Sequence, residues 1–417
     1  MSTYTELVDI FFVLQIAIGG MDEMRLAQRL QQLREKRFTY GISQNKLATD
    51  VGISRQYLSE IETGKVIPSE SLLDELEELL ERYNPDLPLE MLFDYIRIRF
   101  PTTDPQKVIE PILKLKMTYM LHEDYAFYSY NEQYVFGDIV VMVSHEMEKG
   151  VLVELKGKGC RQFENFLLAQ QRTWFDFFLD VFAANGVFKR LDLAINDKVG
   201  LLNIPELTRK CRNEECISVF RSFKSYRSGE LVHPYEKADM GNTLYIGSLK
   251  SEVYFCLYEK DYEQYIKNGL PLEDSPVKNR FEIRLKNERA LHAAIDLLNN
   301  GNVGNTTFSI INRYIRFVDK KPDTRRSQWK INADWAWFLG ENQRKLRLTS
   351  EPEPYSFDRT LNWLAYQVAP TLKAALTIDK INQTTVIKDM IRITELSDRH
   401  KKIVQQQTLP IEEVITK

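Results

Sequence analysis

Three acidic residues stand in the middle of predicted strands, and their type and spacing could support metal-assisted chemistry. They are Asp192 in RLDLAIN, Glu282 in RFEIRL and Glu154 in VLVELK. A carboxylate at the centre of a strand is unfavourable unless it is paired or metal-bound. Three on neighbouring strands would form a hard-oxygen site suited to Mg²⁺ or Mn²⁺. The alternative is an ion-pair network with nearby arginines. These arginines are Arg190, Arg280 and Arg284.

A nucleophile could come from the run EVYFCLYEK. Its period of two places Tyr254, Cys256 and Tyr258 on one face of a strand. A tyrosine beside a divalent cation can attack a phosphodiester, because the cation stabilises the phenolate and neutralises the phosphate. Tyrosines in strands are also common core or rim residues. The residue types alone do not choose among the 20 tyrosines of the chain.

Length and composition limit the number of domains and the kind of nucleic-acid site that the chain can have. The chain has 417 residues, which suggests two to three domains. Its 22 Phe, 20 Tyr and 5 Trp can fill cores, which excludes disorder as the main state. With 56 basic and 59 acidic residues the net charge is −3, so a uniformly positive coat for nucleic acid is excluded. Any nucleic-acid site must therefore be a local patch.

The first part of the chain predicts a helix-turn-helix. We expect residues 1–20 to be a disordered leader and residues 21–84 to form a helical domain. In ISQNKLATDVGISRQYLSEIETG, Gly52 allows the tight turn between two short helices, and Ser54 is suited to cap the second. Without DNA binding, the same pattern would describe a helical bundle that docks a protein. The following Pro-rich stretch, residues 84–88, marks a domain boundary.

The rest of the chain predicts an α+β fold with an antiparallel sheet and helices packed on one face. We expect a catalytic domain over residues 89–290 and a mainly helical region over 291–417, packed on it. The alternating runs predict a series of strands. They are FDYIRIRF, YAFYSY, DIVVMVS, GVLVELK, KRLDLAIND, TLYIGS, EVYFCLYEK and RFEIRLK. The apolar periodicity predicts one long helix over residues 162–184 and another over FSIINRYIRFV.

Positive charge is concentrated in two places. Residues 25–65 hold eight basic and four acidic residues, a net of +4, and residues 313–330 hold seven and two, a net of +5. In residues 221–227, RSFKSYR, basic and aromatic residues alternate, which suits phosphate contacts and base stacking on unpaired DNA. A solvated loop is the alternative for this stretch. The basic residues that we expect to contact DNA in these two later segments are Arg221, Lys224, Arg227, Arg325 and Arg326.

Several other classes of site are absent from the sequence. The four cysteines form no C-x-x-C pair, and no G-x-x-x-x-G-K-[ST] loop for ATP is present. The apolar run at residues 10–18 is about half the ~20 residues that a membrane span requires, and no basic residue precedes it. We therefore expect a cytoplasmic protein without membrane insertion.

The helix-turn-helix resembles the phage-repressor (Cro/C1-type) family. The resemblance rests on the spacing of its helix, turn and core positions. These are Gln44, Ala48, Gly52, Ile53, Leu58, Ile61 and Gly64. It implies that Gln44 anchors a phosphate or base and that the second helix faces the major groove. The side chains that would be exposed there are Arg55, Gln56, Tyr57 and Ser59.

The catalytic runs RLDLAIND, TLYIGSLKSEVYFCLYEKDYE and RFEIRLKNERA resemble rolling-circle plasmid replication initiators of the Rep_trans type. They are still more similar to MobT-type relaxases of integrative and conjugative elements, which join a helix-turn-helix to this catalytic domain. The resemblance covers residues 24–405. Relaxases of the HUH class carry closely spaced histidines on one strand, whereas the five histidines here are isolated.

The resemblance implies roles for individual residues. Tyr258 is the nucleophile of a strand motif that ends in Tyr-x-Lys, and Lys260 steadies the phosphate or phenolate. Asp192 and Glu282 fall on the metal carboxylates of the family, with Glu154 as a weaker third. The family often has Asp where this chain has Asn196. Asp197 lies one step further and so on the opposite face of the strand, whereas Asn196 shares the face of Asp192 and could ligate through its carbonyl.

The resemblance also implies a function. The enzyme nicks one strand at an origin of transfer, forms a 5′-phosphotyrosyl link with Mg²⁺ or Mn²⁺, and rejoins the ends. Its partners are double-stranded origin DNA, locally single-stranded DNA at the nick site, a conjugation coupling protein and accessory DNA-processing proteins. The alternative is a transcriptional regulator of a mobile element that does not nick. A tyrosine recombinase would need an Arg-His-Arg cluster on helices, which the sequence does not show.

Overall fold

The computed structural model describes residues 21–40, 42–81, 89–229, 239–339, 346, 348–354, 356 and 358–416. The expected leader and the Pro-rich boundary at 84–88 lie outside these ranges. The chain divides into two compact units, Met1–Pro88 and Leu89–Lys417.

The first unit is helical. Its helices are α1 (Met21–Thr39), α2 (Gln44–Val51), α3 (Arg55–Glu62) and α4 (Glu70–Glu81). Leucines from all four meet in one core. Between α2 and α3, Gly52 has φ +75°, a conformation that glycine adopts without strain. Ser54 caps α3 by accepting a hydrogen bond from the backbone N–H of Tyr57 at 3.1 Å. The predicted helix-turn-helix is confirmed.

The second unit is built on a ten-stranded sheet in which every neighbouring pair is antiparallel. The order is β2-β3-β4-β5-β1-β6-β11-β10-β9-β8. These strands are β1 (Leu89–Phe100), β2 (Leu121–Glu123), β3 (Glu132–Phe136), β4 (Ile139–Val143), β5 (Val151–Lys156), β6 (Val187–Asp197), β8 (Phe223–Gly229), β9 (Asp239–Ile246), β10 (Val253–Glu259) and β11 (Asn279–Lys286). A separate small sheet has the order β13-β12-β7. It contains β7 (Cys216–Ser218), β12 (Ile315–Asp319) and β13 (Lys330–Ile331). The predicted α+β class is confirmed.

Helices cover one face of the large sheet. Alternate apolar residues of the central strands, such as Leu191, Leu193 and Ile283, are buried against them. The helices of the second unit up to residue 339 are α5 (Gln106–Val108), α6 (Gly157–Ala169), α7 (Trp174–Ala183), α8 (Ile204–Arg212), α9 (Lys260–Asn268), α10 (Glu288–Asn300), α11 (Val303–Tyr314) and α12 (Ala333–Leu339). The other face carries the polar residues of the same strands, and we call it the polar face.

Three predicted elements were wrong. The helix expected over 162–184 is two helices, because Thr173 and Asp176 form a capping box that starts α7. The strand expected at 125–130 is a loop in which Tyr128 and Ser129 have φ of +56° and +59°. The helix expected through residue 318 ends at Tyr314, since the next five residues form β12, which pairs with β7 and β13.

The C-terminal helices lie partly on the sheet domain and partly in solvent. They are α13 (Asp358–Trp363), α14 (Ala369–Asn382), α15 (Val386–Ile393), α16 (Asp398–Thr408) and α17 (Ile411–Val414). In α14 and α15 most residues are exposed, whereas Val414 is buried and Ile415 pairs with Leu115. In the described residues, no helix is long and apolar enough to cross a membrane.

Candidate active site

Tyr258 and Glu282 meet on the polar face of the large sheet. Strand pairing sets Cys256 opposite Glu282 and Tyr258 opposite Arg280, so the tyrosine and the glutamate are diagonal neighbours. The hydroxyl of Tyr258 donates a hydrogen bond to Glu282 Oε1 at 2.9 Å. Burial, and then the charge of Glu282, raise the pKa of Tyr258 well above its ordinary value, while Arg280 opposes this shift. The phenol is therefore neutral and oriented by a carboxylate.

Asp192 and Glu282 share an arginine. Arg284 donates to Glu282 Oε2 from Nε at 2.8 Å and from Nη2 at 2.6 Å, and its Nε lies 3.9 Å from Asp192 Oδ2. Arg190 Nη2 donates to Asp192 Oδ2 at 2.6 Å. Burial raises the pKa of Asp192 to about 6 in spite of these arginines. The arginine pairing that the sequence offered as an alternative is thus present.

Glu154 lies apart from the other two carboxylates. Its Oε1 accepts hydrogen bonds from Tyr95 and, at 3.1 Å, from Tyr128, and Lys156 Nζ lies 2.8 Å from its Oε2. The sheet order inserts β1 between the strand of Glu154 and that of Asp192. Among the described residues, no group of three potential metal ligands forms. Glu154 therefore does not join Asp192 and Glu282 in one cluster, and the expected three-carboxylate arrangement is wrong.

That pair fits a divalent cation by its chemistry. The carboxylates of Asp192 and Glu282, on adjacent strands, both approach the guanidinium of Arg284. Positive charge is therefore stabilised between them. Hard oxygen donors of this kind suit Mg²⁺ or Mn²⁺.

The residues at the end of β6 have structural partners. Asn196 Oδ1 accepts from Arg280 Nε at 2.7 Å, and its amide donates to Glu90 at 3.1 Å. Asp197 lies on the opposite face and accepts the backbone N–H groups of residues 199, 200 and 202 at 2.8 to 3.2 Å. Asp197 therefore holds the turn after β6.

A cavity of about 780 Å³ opens beside Tyr258. Lys260, the first residue of α9, lies 5.7 Å from the centre of the Tyr258 ring and pairs with Glu263. Arg280 also lines the cavity and is only 7% exposed. Its Nη1 donates to Asp94 at 3.1 Å. The sequence identified Arg280 only as a possible ion-pair partner; its place opposite Tyr258 depends on the strand pairing.

Only some of the α3 side chains that are predicted to contact DNA are exposed to solvent. Arg55 and Gln56 are exposed, whereas Tyr57 and Ser59 are half-buried. Gln44 instead donates to Glu62 Oε2 at 2.8 Å, within the buried pair of Glu62 and Arg37. This hydrogen bond links α2 to α3 within the first unit.

The other predicted DNA contacts fall in two places. The residues of 223–229 form β8 at the edge of the large sheet, so the solvated-loop alternative is wrong for them. Arg221 precedes this strand, and Lys224 and Arg227 are exposed on it. Arg325 and Arg326 are exposed before β13, where Arg326 Nη2 donates to the carbonyls of residues 214 and 216 at 2.8 Å.

Three families match successive parts of the chain. Residues 25–87 match a helix-turn-helix domain. Residues 90–180 match the rolling-circle replication initiation protein N-terminal domain, and residues 186–391 match the replication initiation factor family.

Two known proteins are similar over long stretches. A protein of Bacillus subtilis (strain 168) named as a DNA relaxase, NicK, is 42% identical over 318 residues, which are 76% of this chain and 89% of NicK. The solved structure of a rolling-circle replication initiator protein from Geobacillus stearothermophilus is 26% identical, with a TM-score of 0.55, over 63% of this chain and 99% of that one. On this identity and coverage, the chain belongs to the replication initiation factor family of rolling-circle initiators, and a helix-turn-helix domain precedes the initiator domains along the chain.

Proposed function

We propose that the protein is a DNA relaxase that nicks one strand at an origin of transfer through Tyr258 and then rejoins it. The observation that carries the proposal is the hydrogen bond from Tyr258 to Glu282 on the polar face of the sheet, beside an open cavity. Membership of the initiator family and the similarity to NicK support the same activity. Assignment to a MobT-type relaxase of an integrative and conjugative element is part of the proposal.

In the proposed reaction, Tyr258 Oη attacks the scissile phosphorus while Glu282 accepts the phenolic proton. The P–Oη bond forms as the P–O3′ bond breaks, and the leaving O3′ takes a proton from solvent. The products are a 5′-phosphotyrosyl link and a free 3′-OH that can prime synthesis. Attack by the 3′-OH reverses the step. The link conserves the phosphodiester bond, so no ATP is required.

Cations around Tyr258 support the phosphate. Arg280 lies opposite the tyrosine, and Lys260 lies at the start of α9 beside its ring. Positive charge placed where phosphate charge develops lowers the barrier of such transfers. A divalent cation bound by Asp192 and Glu282 would polarise the phosphate further.

The DNA partners follow from the two units. We propose that α3 binds double-stranded origin DNA, while the polar face binds locally single-stranded DNA at the nick. A conjugation coupling protein and accessory DNA-processing proteins complete the proposed set of partners.

The test is incubation with a supercoiled plasmid that carries the origin of the element, with and without Mn²⁺. The expected product is an open circle with protein attached to its 5′ end and a 3′-OH that a polymerase extends. Binding without any nick would contradict the proposal and support the transcriptional regulator instead.

A further inference from the structure

Residues 124–131, between β2 and β3, expose three aromatic side chains. We call this segment the aromatic loop. Tyr125, Phe127 and Tyr128 are 55%, 60% and 48% exposed. Aromatic rings have large apolar surfaces that are usually at least partly removed from water. Three on one short loop therefore indicate a surface that binds a partner.

The loop has a defined conformation. Tyr128 and Ser129 both adopt positive φ, which is uncommon for residues other than glycine and is maintained only when the surroundings enforce it. The N–H of Tyr130 donates to the carbonyl of Phe127 at 3.1 Å, and Lys149 Nζ donates to the carbonyl of Ser129 at 3.3 Å. The aromatic side chains are therefore presented from a supported turn.

Two cations lie beside two of these rings. Lys156 Nζ lies 5.9 Å from the centre of the Phe127 ring, and Arg97 Cζ lies 4.7 Å from that of Tyr128. The nearby charge of Glu154 is buried and hydrogen-bonded to tyrosine hydroxyls, so it offers DNA little exposed negative surface. Aromatic rings that stack on bases, next to cations that contact phosphates, are the chemistry of single-stranded nucleic-acid binding.

The aromatic loop continues the polar face that carries Tyr258. Strand pairing aligns Glu154 with Arg97 and Arg190, and it aligns Tyr258 with Arg280 and Asn196. Asn196 lies six residues after Arg190 on β6, and the strand of Tyr258 lies four strands from that of Glu154. At about 4.8 Å per strand and about 3.3 Å per residue, Glu154 under the aromatic loop and Tyr258 lie roughly 28 Å apart. That is about eight nucleotides of a stacked strand at ~3.4 Å each, and fewer of an extended one. Arginines from three successive strands lie on this path. They are Arg97, Arg190 and Arg284.

We infer that the aromatic loop is a second binding site for unpaired DNA, in which Tyr125 and Phe127 stack on bases several nucleotides from the nick. This inference rests on the proposed function and adds to it the course of the strand. It differs from the predicted contacts at residues 221–227, which lie at the β8 end of the sheet.

The test uses the full chain and a single-stranded origin oligonucleotide with 2-aminopurine placed at successive positions up to about ten nucleotides on each side of the nick. Stacking should quench the probe in one window away from the nick. The double variant Tyr125→Ala/Phe127→Ala should lose this quenching and bind the long oligonucleotide at least about fivefold more weakly. Phe127→Trp should retain both.

The control is Leu168→Ala, because Leu168 is 63% exposed on α6, on the helical side of the sheet. Unfolding curves of all variants should coincide. Unchanged affinity and unchanged quenching in the double variant would overturn the inference and leave a protein partner as the occupant of the loop.

A short oligonucleotide that reaches about three nucleotides beyond the nick on each side separates this inference from the proposed function. The double variant should form the covalent adduct on it at the wild-type rate. Absence of an adduct with the wild-type protein would contradict the proposed function itself, whereas loss only in the double variant would contradict the remote position of the loop.

Discussion

The phenol of Tyr258 donates its hydrogen bond to Glu282 across two adjacent antiparallel strands, at 2.9 Å. Because Arg284 pairs with the other oxygen of Glu282, the carboxylate is fixed while it faces the tyrosine. A nucleophile held by a base that is itself held by a third group is the arrangement expected for covalent catalysis.

Tyr258→Phe should abolish the covalent adduct, with a loss of at least roughly 10⁴-fold in rate, because no other group of the site replaces the nucleophile. Tyr254→Phe is the matched control, since Tyr254 lies on the same face of β10 opposite Arg284. The activity of both variants is measured as adduct formation on an origin oligonucleotide. Full nicking by Tyr258→Phe would move the assignment to Tyr254.

Removal of divalent metal should stop nicking, and Mn²⁺ or Mg²⁺ should restore it. Asp192→Asn should raise the Mn²⁺ concentration for half-maximal nicking by at least about tenfold, because one of the two proposed ligands loses its charge. Glu154→Gln should leave that concentration unchanged, since Glu154 belongs to a separate cluster. Equal shifts in both variants would show that Glu154 is a ligand after all.

Arg55→Ala should weaken binding to duplex origin DNA by roughly 5- to 150-fold, because Arg55 is exposed at the start of the proposed recognition helix. Fluorescence anisotropy with origin duplex and scrambled duplex measures the loss. Nicking of a short single-stranded oligonucleotide should continue at the wild-type rate. A parallel fall in that rate would mean that Arg55 acts at the nick site.

Glu164 should make stability depend on pH. Burial raises its pKa to about 7, although Arg161 and Trp174 act in the opposite direction. The folded state then binds the proton more tightly than the unfolded state, so this contribution is complete below about pH 4.5 and declines as the pH rises to about 7. The contribution of Glu164 to the free energy of unfolding changes by about 3 kcal/mol at most over this pH range.

Glu164→Gln should remove this dependence while it keeps an oxygen for Trp174 Nε1, which lies 3.0 Å away. Urea unfolding at pH 5 and pH 8 tests it, and the gap in unfolding free energy between variant and wild type should change between the two. A constant gap would show that Glu164 is ionised throughout.

Local patterns in the sequence determined much of this protein. The period of two placed Asp192 and Glu282 on strands, and the spacing around Gly52 and Ser54 predicted the helix-turn-helix. The resemblance to the initiator family, through its Tyr-x-Lys motif, pointed to Tyr258. Such features depend on residues that are close in the chain, so they can be recognised before the fold is known.

Only the tertiary structure decided which strands are neighbours. β1 enters between β5 and β6, which separates Glu154 from Asp192, and the pairing of β10 with β11 brings Arg280 opposite Tyr258. A single residue along β6 turns Asp197 away from the polar face and into a turn. Strand order and register depend on contacts between distant segments, which no local period contains.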